Sequence, residues 1–350
     1  LPPGAPPRGA GGGGPPPPTA RKNPAVCLML LAIGYTGFNT YERDGLGFRV
    51  EKFTRNYAVL FDERSRPWAA ENQEAVCKAR FPFAAENAYC RLDKDAAPSV
   101  LIIGDSHSNS LYPGMVNLFA ESTEVLAGLG SGGCVPFREM LSFDRKTSEE
   151  DRGRCLSIIS QALDAAGNSA VHTVLLVSRG PLYLTGKGFA PDDFADEKNH
   201  DWVLHYQAHP ELADYMSVWE TAMRAMLAEL VSAGKRVIFV LDNPELGFDP
   251  KSCIDSRPFR LTPKNLRSPC AVPRAVFEER NRDYRTLVAR VLADFPQVVL
   301  IDGAKPFCDE QWCWAMKDGK ILYFDDDHVS LGGARLIAQE ILPYLNIPHQ

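Results

Sequence analysis

Ser106 is the residue of this sequence whose surroundings best suit nucleophilic chemistry. An apolar, β-branched run at 100–103 precedes it, Gly104 and Asp105 break that run, and residues 108–119 can continue as a helix. A serine at such a strand-to-helix turn lies at the carboxyl edge of a sheet, where α/β folds place their sites. The free N–H groups and the positive dipole end of the helix favour negative charge on an oxygen beside it. Taken alone, the segment fits equally well a plain turn in which Asp105 caps the helix.

Asp325 and His328 supply the partners that a serine nucleophile needs. They lie three residues apart in a loop that opens the last predicted helix, so both side chains can face one site. The histidine takes the proton of the serine, and the carboxylate fixes the tautomer of the histidine. A lone DxxH pattern is common by chance, but GDSH after a strand together with DxxH before the last helix is a strong joint signal. We predict a triad of Ser106, His328 and Asp325.

Four motifs carry a resemblance to a known family. They are GDSH at 104–107, SGGCVP at 131–136, the pair Cys308 and Cys313, and LYFDDDHVSLGGA at 322–334. Over roughly residues 25–350 the chain resembles the SGNH (GDSL-like) hydrolase superfamily. It looks most like the periplasmic SGNH domain fused to membrane-bound acyltransferase-3 proteins, the O-acetyltransferases of surface polysaccharides. The resemblance implies a three-layer α/β/α domain with a flavodoxin-like arrangement.

The alternation of strands and helices predicts the fold class from the residues themselves. Five apolar runs, separated by helical segments, are interpreted as strands at 100–103, 124–127, 171–177, 236–241 and 298–301. This pattern is typical of an α/β fold with a parallel five-stranded sheet and helices on both faces. We expect the catalytic domain to span residues 98–350.

The resemblance also implies which groups stabilise the tetrahedral oxyanion. Superfamily members use a glycine of the second motif as a backbone donor. Gly133 is the best match and Gly132 the next, although this segment also fits a flexible turn beside a disulfide. The asparagine donor that members carry in a third block is missing, and Arg179 stands there. We expect Arg179 to replace that donor or to bind substrate, with a structural salt bridge as the alternative. Asn243, after the strand at 236–241, is a further candidate substrate contact.

A long polar segment at 182–212 follows the third predicted strand. It carries His200, His205 and His209, but their loose spacing does not favour a metal site, and we expect no metal. Long loops in compact domains are often functional. We therefore predict that this segment forms a lid or a substrate loop over the site.

Nine cysteines are many for a cytosolic enzyme. No CxxC motif pairs with a second one or with matching histidines, so disulfides in an oxidising compartment fit better than a zinc site. The cysteines form near pairs in the sequence, and the resemblance supports local pairing, although eight cysteines allow many connectivities. The expected bridges are Cys77–Cys90, Cys134–Cys155, Cys253–Cys270 and Cys308–Cys313, with Cys27 left over.

Three segments precede the predicted catalytic domain. Residues 1–22 are rich in Pro and Gly, cannot bury a core and are expected to be disordered. Residues 23–41 are mostly apolar, and we predict a transmembrane helix whose N-terminal end is cytoplasmic because Arg21 and Lys22 precede it. A signal-peptide core and a buried helix or strand are the alternatives. Residues 42–97 are expected to form a disulfide-bearing extension.

Composition limits the possible partners. Hydrophobic residues make up 45% of the chain, which is enough for a globular core, and the net charge of -6 does not favour nucleic acid as a partner. No basic stripe with interleaved aromatic residues is present.

The residues and the resemblance together predict an extracytoplasmic serine acyltransferase that a single N-terminal span anchors in the membrane, with its catalytic domain in the periplasm. The resemblance implies an acetyl group that comes ultimately from cytoplasmic acetyl-CoA through a membrane acyltransferase-3 domain. That domain would be a missing upstream portion or a separate protein, and no cofactor is expected in this chain. The acceptor would be a sugar hydroxyl of lipopolysaccharide O-antigen or a similar envelope glycan. The alternatives are an esterase with the same triad and, less favoured, a non-catalytic glycan-binding module.

Overall fold

The computed structural model describes residues 24–42, 71–81, 88–191, 199–254 and 265–345. Within them the α-helices are α1 (Pro24–Glu42), α2 (Glu71–Arg80), α3 (Ser106–Phe119), α4 (Glu149–Arg152), α5 (Arg154–Ala166), α6 (Gly180–Thr185), α7 (Tyr215–Ser232), α8 (Arg274–Leu292) and α9 (Leu331–Ile341). The strands are β1 (Ala88–Leu92), β2 (Val100–Gly104), β3 (Leu126–Ser131), β4 (Met140–Asp144), β5 (Thr173–Val177), β6 (Trp202–Tyr206), β7 (Arg236–Leu241), β8 (Ala271–Pro273), β9 (Val299–Asp302), β10 (Trp312–Trp314), β11 (Met316–Lys317) and β12 (Lys320–Ile321). The chain divides into two units, Leu1–Lys52 and Phe53–Gln350.

The first unit contains helix α1, which is 19 residues long. Apolar residues fill its first half, but Thr36, Asn39 and Thr40 lie in the second half. No helix among the residues described above combines the length and the apolar character that a bilayer crossing requires. The predicted transmembrane helix at 23–41 is therefore not supported, because the helix that forms there carries polar residues in its last turns. The predicted disordered segment at 1–22 lies outside the described residues.

The second unit is built around a six-stranded sheet with the strand order β1-β3-β2-β5-β7-β9. Strands β3, β2, β5, β7 and β9 run parallel to one another, and β1 pairs antiparallel with β3. Helices α3 and α9 pack on one face of the sheet, and α5, α7 and α8 pack on the other. The predicted three-layer α/β fold with five parallel strands is confirmed, and an antiparallel edge strand adds to it.

The edge strand β1 belongs to the segment that the sequence analysis described as an extension. The sheet therefore begins upstream of the predicted domain start at residue 98. Two parts of that extension, 43–70 and 82–87, lie outside the described residues. Within the described part of that segment, strand β1 completes the sheet beside β3.

Two glycines bring the central strands together at their carboxyl ends. A Cβ on Gly104 would lie 1.7 Å from the carbonyl oxygen of Val177, and a Cβ on Gly130 would lie 1.8 Å from the carbonyl oxygen of Gly104. Only glycine permits backbones to approach this closely. Strand β3 consequently runs through Gly130 to Ser131, beyond the predicted strand end at residue 127.

The first turn of α3 and the loop before α9 carry the two halves of the predicted triad, and the two helices pack directly against each other. A Cβ on Gly114 of α3 would lie 2.4 Å from the carbonyl carbon of Ala334 in α9. Ser330 caps α9 by accepting the N–H of Gly333. The loop with Asp325 and His328 comes just before this cap, so the close packing at Gly114 places that loop beside the first turn of α3.

The four predicted disulfides are confirmed. The structure joins Cys77 to Cys90, Cys134 to Cys155, Cys253 to Cys270, and Cys308 to Cys313. Cys27 is a free and exposed cysteine. The second bridge ties the loop after β3 to α5, and the fourth closes a short loop upstream of His328.

Candidate active site

The turn that presents Ser106 is held by the side chain of Asp105, which is 1% exposed. One carboxylate oxygen of Asp105 accepts the N–H of His107 at 2.9 Å and so caps α3. The other accepts the N–H of Arg179 at 2.9 Å and the hydroxyl of Tyr183 at 2.7 Å. Asp105 thereby ties the start of α3 to the end of β5. Ser106 is fixed at the helix N-terminus and stays partly exposed.

His328 is oriented by two carboxylates. Its Nδ1 lies 2.9 and 3.0 Å from the oxygens of Asp325 and 2.7 Å from Oδ1 of Asp327. Asp325 also accepts the backbone N–H of His328 at 2.7 Å, which tightens the loop. The other ring nitrogen, Nε2, is buried and has no hydrogen-bond partner among the described residues. This is the orientation of a triad base, in which Nδ1 donates to a carboxylate and Nε2 is left for the serine proton.

The three predicted triad residues line one cavity of about 390 Å³. Gly133 lines the same cavity, and the segment predicted as a lid contributes further walls through Leu182, Tyr183, His200 and Trp202. Trp202 lies on β6, which pairs antiparallel with β4, and residues 192–198 of the segment lie outside the described part. The structure therefore places part of this segment against the cavity as a short strand.

The charge of Asp327 dominates the electrostatics of His328. Burial alone would lower the pKa of His328, but the charge of Asp327 and the hydrogen bonding of the ring to the carboxylates of Asp325 and Asp327 raise that pKa to about 10. Burial alone would raise the pKa of Asp327, but Arg179 and His328 hold it well below its ordinary value. Asp327 is therefore ionised, and without bound substrate the site favours the imidazolium form of His328. His328 becomes an effective base as the pH rises.

Arg179 lines the cavity of Ser106 and belongs to a buried ion-pair network. Its Nη1 lies 2.6 Å from Oδ2 of Asp327, and its Nε donates to Oε1 of Glu245 at 2.7 Å. Arg280 completes the network by donating to Oε2 of Glu245 at 2.6 Å. Removing one partner from such a buried pair typically costs about 3–5 kcal/mol. Arg179 thus forms the salt bridge that the sequence analysis gave as the alternative role, and the guanidinium holds Asp327 in place.

His107 forms a second branch of this network. Its Nδ1 lies 2.8 Å from Oδ1 of Asp242, and its Nε2 lies 3.4 Å from Oδ2 of Asp327. Burial would lower the pKa of His107, but Asp242 raises it well above its ordinary value. The rings of His107 and His328 lie 4.9 Å apart. Asp327 therefore contacts both histidines and Arg179, and it is the centre of the charged groups around the triad.

The other predicted site residues, Gly132, Gly133 and Asn243, do not all line the cavity of Ser106. Gly133 has φ +73, a conformation that favours glycine, and a Cβ there would lie 2.2 Å from the ring of Trp202. Gly132 lines a neighbouring cavity instead. The amide of Asn243 donates to the carbonyl of Asp327 at 2.8 Å. This bond ties Asn243 to the loop of His328, and its contact with substrate stays a prediction.

Two overlapping groups of side chains could be considered as a metal site. His107, Asp327 and His328 offer ligand atoms within 4.8 Å of one another, and so do Asp325, Asp326 and Asp327. The guanidinium of Arg179 already lies 2.6 Å from Oδ2 of Asp327. A cation at Asp327 would meet that positive charge, so the arrangement suits a base and its carboxylates better than a metal centre.

A family model described as "SGNH domain (fused to AT3 domains)" matches residues 76–343. The chain belongs to this family. The predicted resemblance is confirmed, and the match begins within the segment that supplies strand β1. No curated protein matches the chain.

Several solved structures are similar to this SGNH domain. The periplasmic domain of a lipopolysaccharide acetyltransferase from Salmonella ser. Paratyphi A has 16% identity and a TM-score of 0.47, with 72% of this chain and 84% of that chain covered. A catalytic mutant of an acetylxylan esterase from Geobacillus stearothermophilus has 11% identity and a TM-score of 0.40, with 72% and 96% covered. A GDSL-like lipase from Bacteroides thetaiotaomicron has 11% identity and a TM-score of 0.35, with 81% and 97% covered.

The sequence analysis missed His107, Asp242 and Asp327 as parts of the site. Two of them stood next to predicted residues, since His107 directly follows Ser106 and Asp327 directly precedes His328. Asp242 follows strand β7, at the edge where α/β folds place their sites. Two signals in the sequence could have identified these residues. One is a charged residue adjacent to a predicted nucleophile or base, and the other is a charged residue at the carboxyl end of a strand.

Proposed function

We propose that this SGNH domain is a serine-dependent acyltransferase that moves an acyl group onto a hydroxyl of a cell-envelope polysaccharide, such as lipopolysaccharide O-antigen. By family resemblance the acyl group is acetyl. The observation that carries the proposal is the arrangement of His328. Carboxylates hold its Nδ1, while its buried Nε2 has no partner in the described part of the chain and lies at the cavity that Ser106 lines. The match to a family fused to AT3 domains supports transfer.

The first half-reaction acylates Ser106. The hydroxyl oxygen attacks the carbonyl carbon of the acyl donor, and its proton moves to Nε2 of His328. The N–H groups of Ser106 and Gly133 are the candidate donors to the tetrahedral oxyanion, each worth on the order of 10²–10³ in rate. The bond to the leaving alkoxide then breaks, and that alkoxide takes the proton from Nε2. An ester on Ser106 remains.

The second half-reaction passes the acyl group to the acceptor. Nε2 of His328 removes the proton of a sugar hydroxyl, whose oxygen attacks the Ser106 ester. The collapse of the tetrahedral intermediate returns the proton to Ser106 and releases the acylated glycan. Water can replace the sugar in this step, and the chain would then be an extracytoplasmic carbohydrate esterase. The triad that lines the cavity can activate water as well as a sugar hydroxyl, and this keeps the esterase as the second candidate.

The four disulfides support an extracytoplasmic location, because such bridges persist in oxidising compartments. We propose that the acetyl group reaches Ser106 from a membrane acyltransferase-3 domain, either in the same protein or in a partner, and ultimately from acetyl-CoA. Under this proposal the chain itself needs no cofactor, because the serine carries the acyl group between the two half-reactions.

The deciding experiment measures what removes the acetyl group from Ser106. The full chain is acetylated with p-nitrophenyl acetate, and intact mass spectrometry follows deacetylation with and without an envelope oligosaccharide. Transfer predicts that the oligosaccharide accelerates deacetylation and becomes acetylated. Loss of acetate to water at the same rate in both samples would instead favour the esterase. Ser106→Ala is the control for acetylation at other residues.

A further inference from the structure

A second cavity of about 390 Å³ opens beside the active site. The two cavities meet at the loop after β3, because Gly132 lines this second cavity and Gly133 lines the cavity of Ser106. The Cα atoms of consecutive residues are about 3.8 Å apart. A ligand group bound at Gly132 would therefore lie close to a group bound at the nucleophile.

The most informative residue of the second cavity is Arg91, which is only 6% exposed. Its Nε donates to the side chain of Asn109 at 2.8 Å, and Asn109 lies in the first turn of α3, three residues after Ser106. In the part of the chain that the structure describes, this is the one hydrogen bond that the Arg91 side chain makes. Burial lowers the pKa of Arg91, and the charge of Glu74 opposes that effect. Arg91 is thus a desolvated guanidinium that presents unpaired donors to a cavity.

Arg154 adds a second guanidinium to the same cavity. Its Nη2 donates to the carbonyl of Gly132 at 3.1 Å, while its Nε is buried and unpartnered among the described residues. Lys78 and Glu74 also line the cavity and form an ion pair at 2.8 Å. That pair contributes no net charge, so the two arginines give the cavity a net positive charge. The ring of Tyr89 supplies a wall next to Gly132.

We propose that this cavity, defined by Arg91, Arg154 and Gly132, is a subsite for an anionic group, a carboxylate or a phosphate, of the acceptor glycan. Guanidinium groups bind such oxyanions through paired, charge-assisted hydrogen bonds. A buried arginine without a carboxylate partner gains most from such a ligand, because unpaired buried charge is costly. The identification of the ligand with the acceptor rests on the acyltransferase function proposed above. The subsite would hold an acidic sugar or a phosphate while a neighbouring hydroxyl approaches Ser106.

A purely structural role for these arginines makes a different prediction. Arg91 would then brace β1 against α3 through Asn109, and Arg154 would brace the loop after β3 through the carbonyl of Gly132. In that case the cavity would not bind anions in preference to neutral sugars, and substitution of Arg154 would change only the stability of the chain.

The test measures anion binding directly in the full chain with Ser106→Ala, which cannot form the acyl-enzyme. The probes are glucuronate and glycerol phosphate, with glucose and glycerol as their neutral counterparts. NMR of the arginine Nε–H groups gives the readout. We expect saturable shifts at Arg91 and Arg154 with at least one anion and none with the neutral probes. The anion that binds identifies the group as carboxylate or phosphate.

Matched variants make the result specific. Arg154→Gln should weaken anion binding at least tenfold, whereas Arg152→Gln, which removes the same charge two residues away, should not. Arg91→Gln should weaken binding as well, and Arg154→Gln keeps the test valid if Arg91→Gln does not fold. Absence of saturable shifts with both anions, or unchanged binding in Arg154→Gln, would overturn the proposal. Failure of Ser106 acetylation in the wild-type chain would overturn the proposed function and leave this binding result standing.

Discussion

The two carboxylates beside His328 lead to a prediction about its pKa. The pKa of His328 is raised from its ordinary value of 6.5 to about 10. That rise corresponds to about 5 kcal/mol in favour of the imidazolium. Asp327 supplies the larger share because its side chain is 6% exposed, whereas that of Asp325 is 39% exposed and is screened by water. We expect both Asp325→Asn and Asp327→Asn to lower the pKa of His328, with the larger decrease in Asp327→Asn.

The sign of the effect on activity follows from the role of His328. Each carboxylate stabilises the imidazolium and so raises the pKa, while the base must be neutral to accept the serine proton. Acetylation of Ser106 should therefore rise with pH, and each substitution should move that rise to lower pH. In Asp325→Asn the maximal rate should fall less than about tenfold, because Oδ1 of Asp327 still lies 2.7 Å from Nδ1 and can hold the tautomer.

The assay is the pre-steady-state rate of Ser106 acetylation as a function of pH. Asp326→Asn is the matched control, since it removes the same charge from the same loop, and Asp326 is not among the residues that contact Nδ1 of His328. Asp327→Asn also leaves Arg179 without one carboxylate, so its thermal stability is measured in parallel. If Asp325→Asn reduced the rate by about 10⁴ and left the pH profile unmoved, Asp325 alone would be the triad carboxylate, and the shared arrangement would be wrong.

Three further predictions concern the elements that position the site. Gly114→Val should destabilise the chain by about 1–3 kcal/mol and slow acetylation, because the valine side chain would meet the backbone of α9. Its control is Gly153→Ala, whose Cβ meets nothing within 4 Å and which should be near neutral in thermal unfolding. Gly133→Ala should cost about 1–2 kcal/mol at its φ of +73, because its Cβ would meet the ring of Trp202. An unchanged thermal unfolding temperature would contradict this tight packing. Replacing Cys134 and Cys155 together by serine should lower the unfolding free energy by about 3 kcal/mol in denaturant titrations. An unchanged acetylation rate in this variant would show that the loop after β3 keeps its active conformation without the bridge.

Local patterns were sufficient to predict much of the fold. The strand before Ser106 and the five parallel strands follow from residues that are close in sequence. The local pairing of the cysteines was open from the residues alone, and the family resemblance supported it. Strand β3 was predicted too short because glycines normally interrupt strands, whereas here close backbone packing on both sides requires them. The pairing of β6 with β4 was missed because the two short strands are far apart in the sequence and partly polar.

The site was predictable only in part for a similar reason. Asp325 and His328 could be paired because three residues separate them. The network around Asp327 could not be derived, because His107 joins Asp242 across 135 residues and Asp327 across 220 residues. Such contacts depend on which strand ends are neighbours in the sheet. Arg179 likewise required the three-dimensional position of Glu245 before its salt bridge could be distinguished from an oxyanion contact.

The central claim is that Ser106 carries the acyl group. The most direct measurement is intact mass spectrometry of the full chain after brief exposure to p-nitrophenyl acetate, with peptide mapping of the product. We predict one added acetyl group on Ser106, absent in Ser106→Ala and retained in Ser110→Ala, a serine one turn further along the same helix. Acetylation that persists in Ser106→Ala, or no acetylation of the wild-type chain at any pH, would contradict the account.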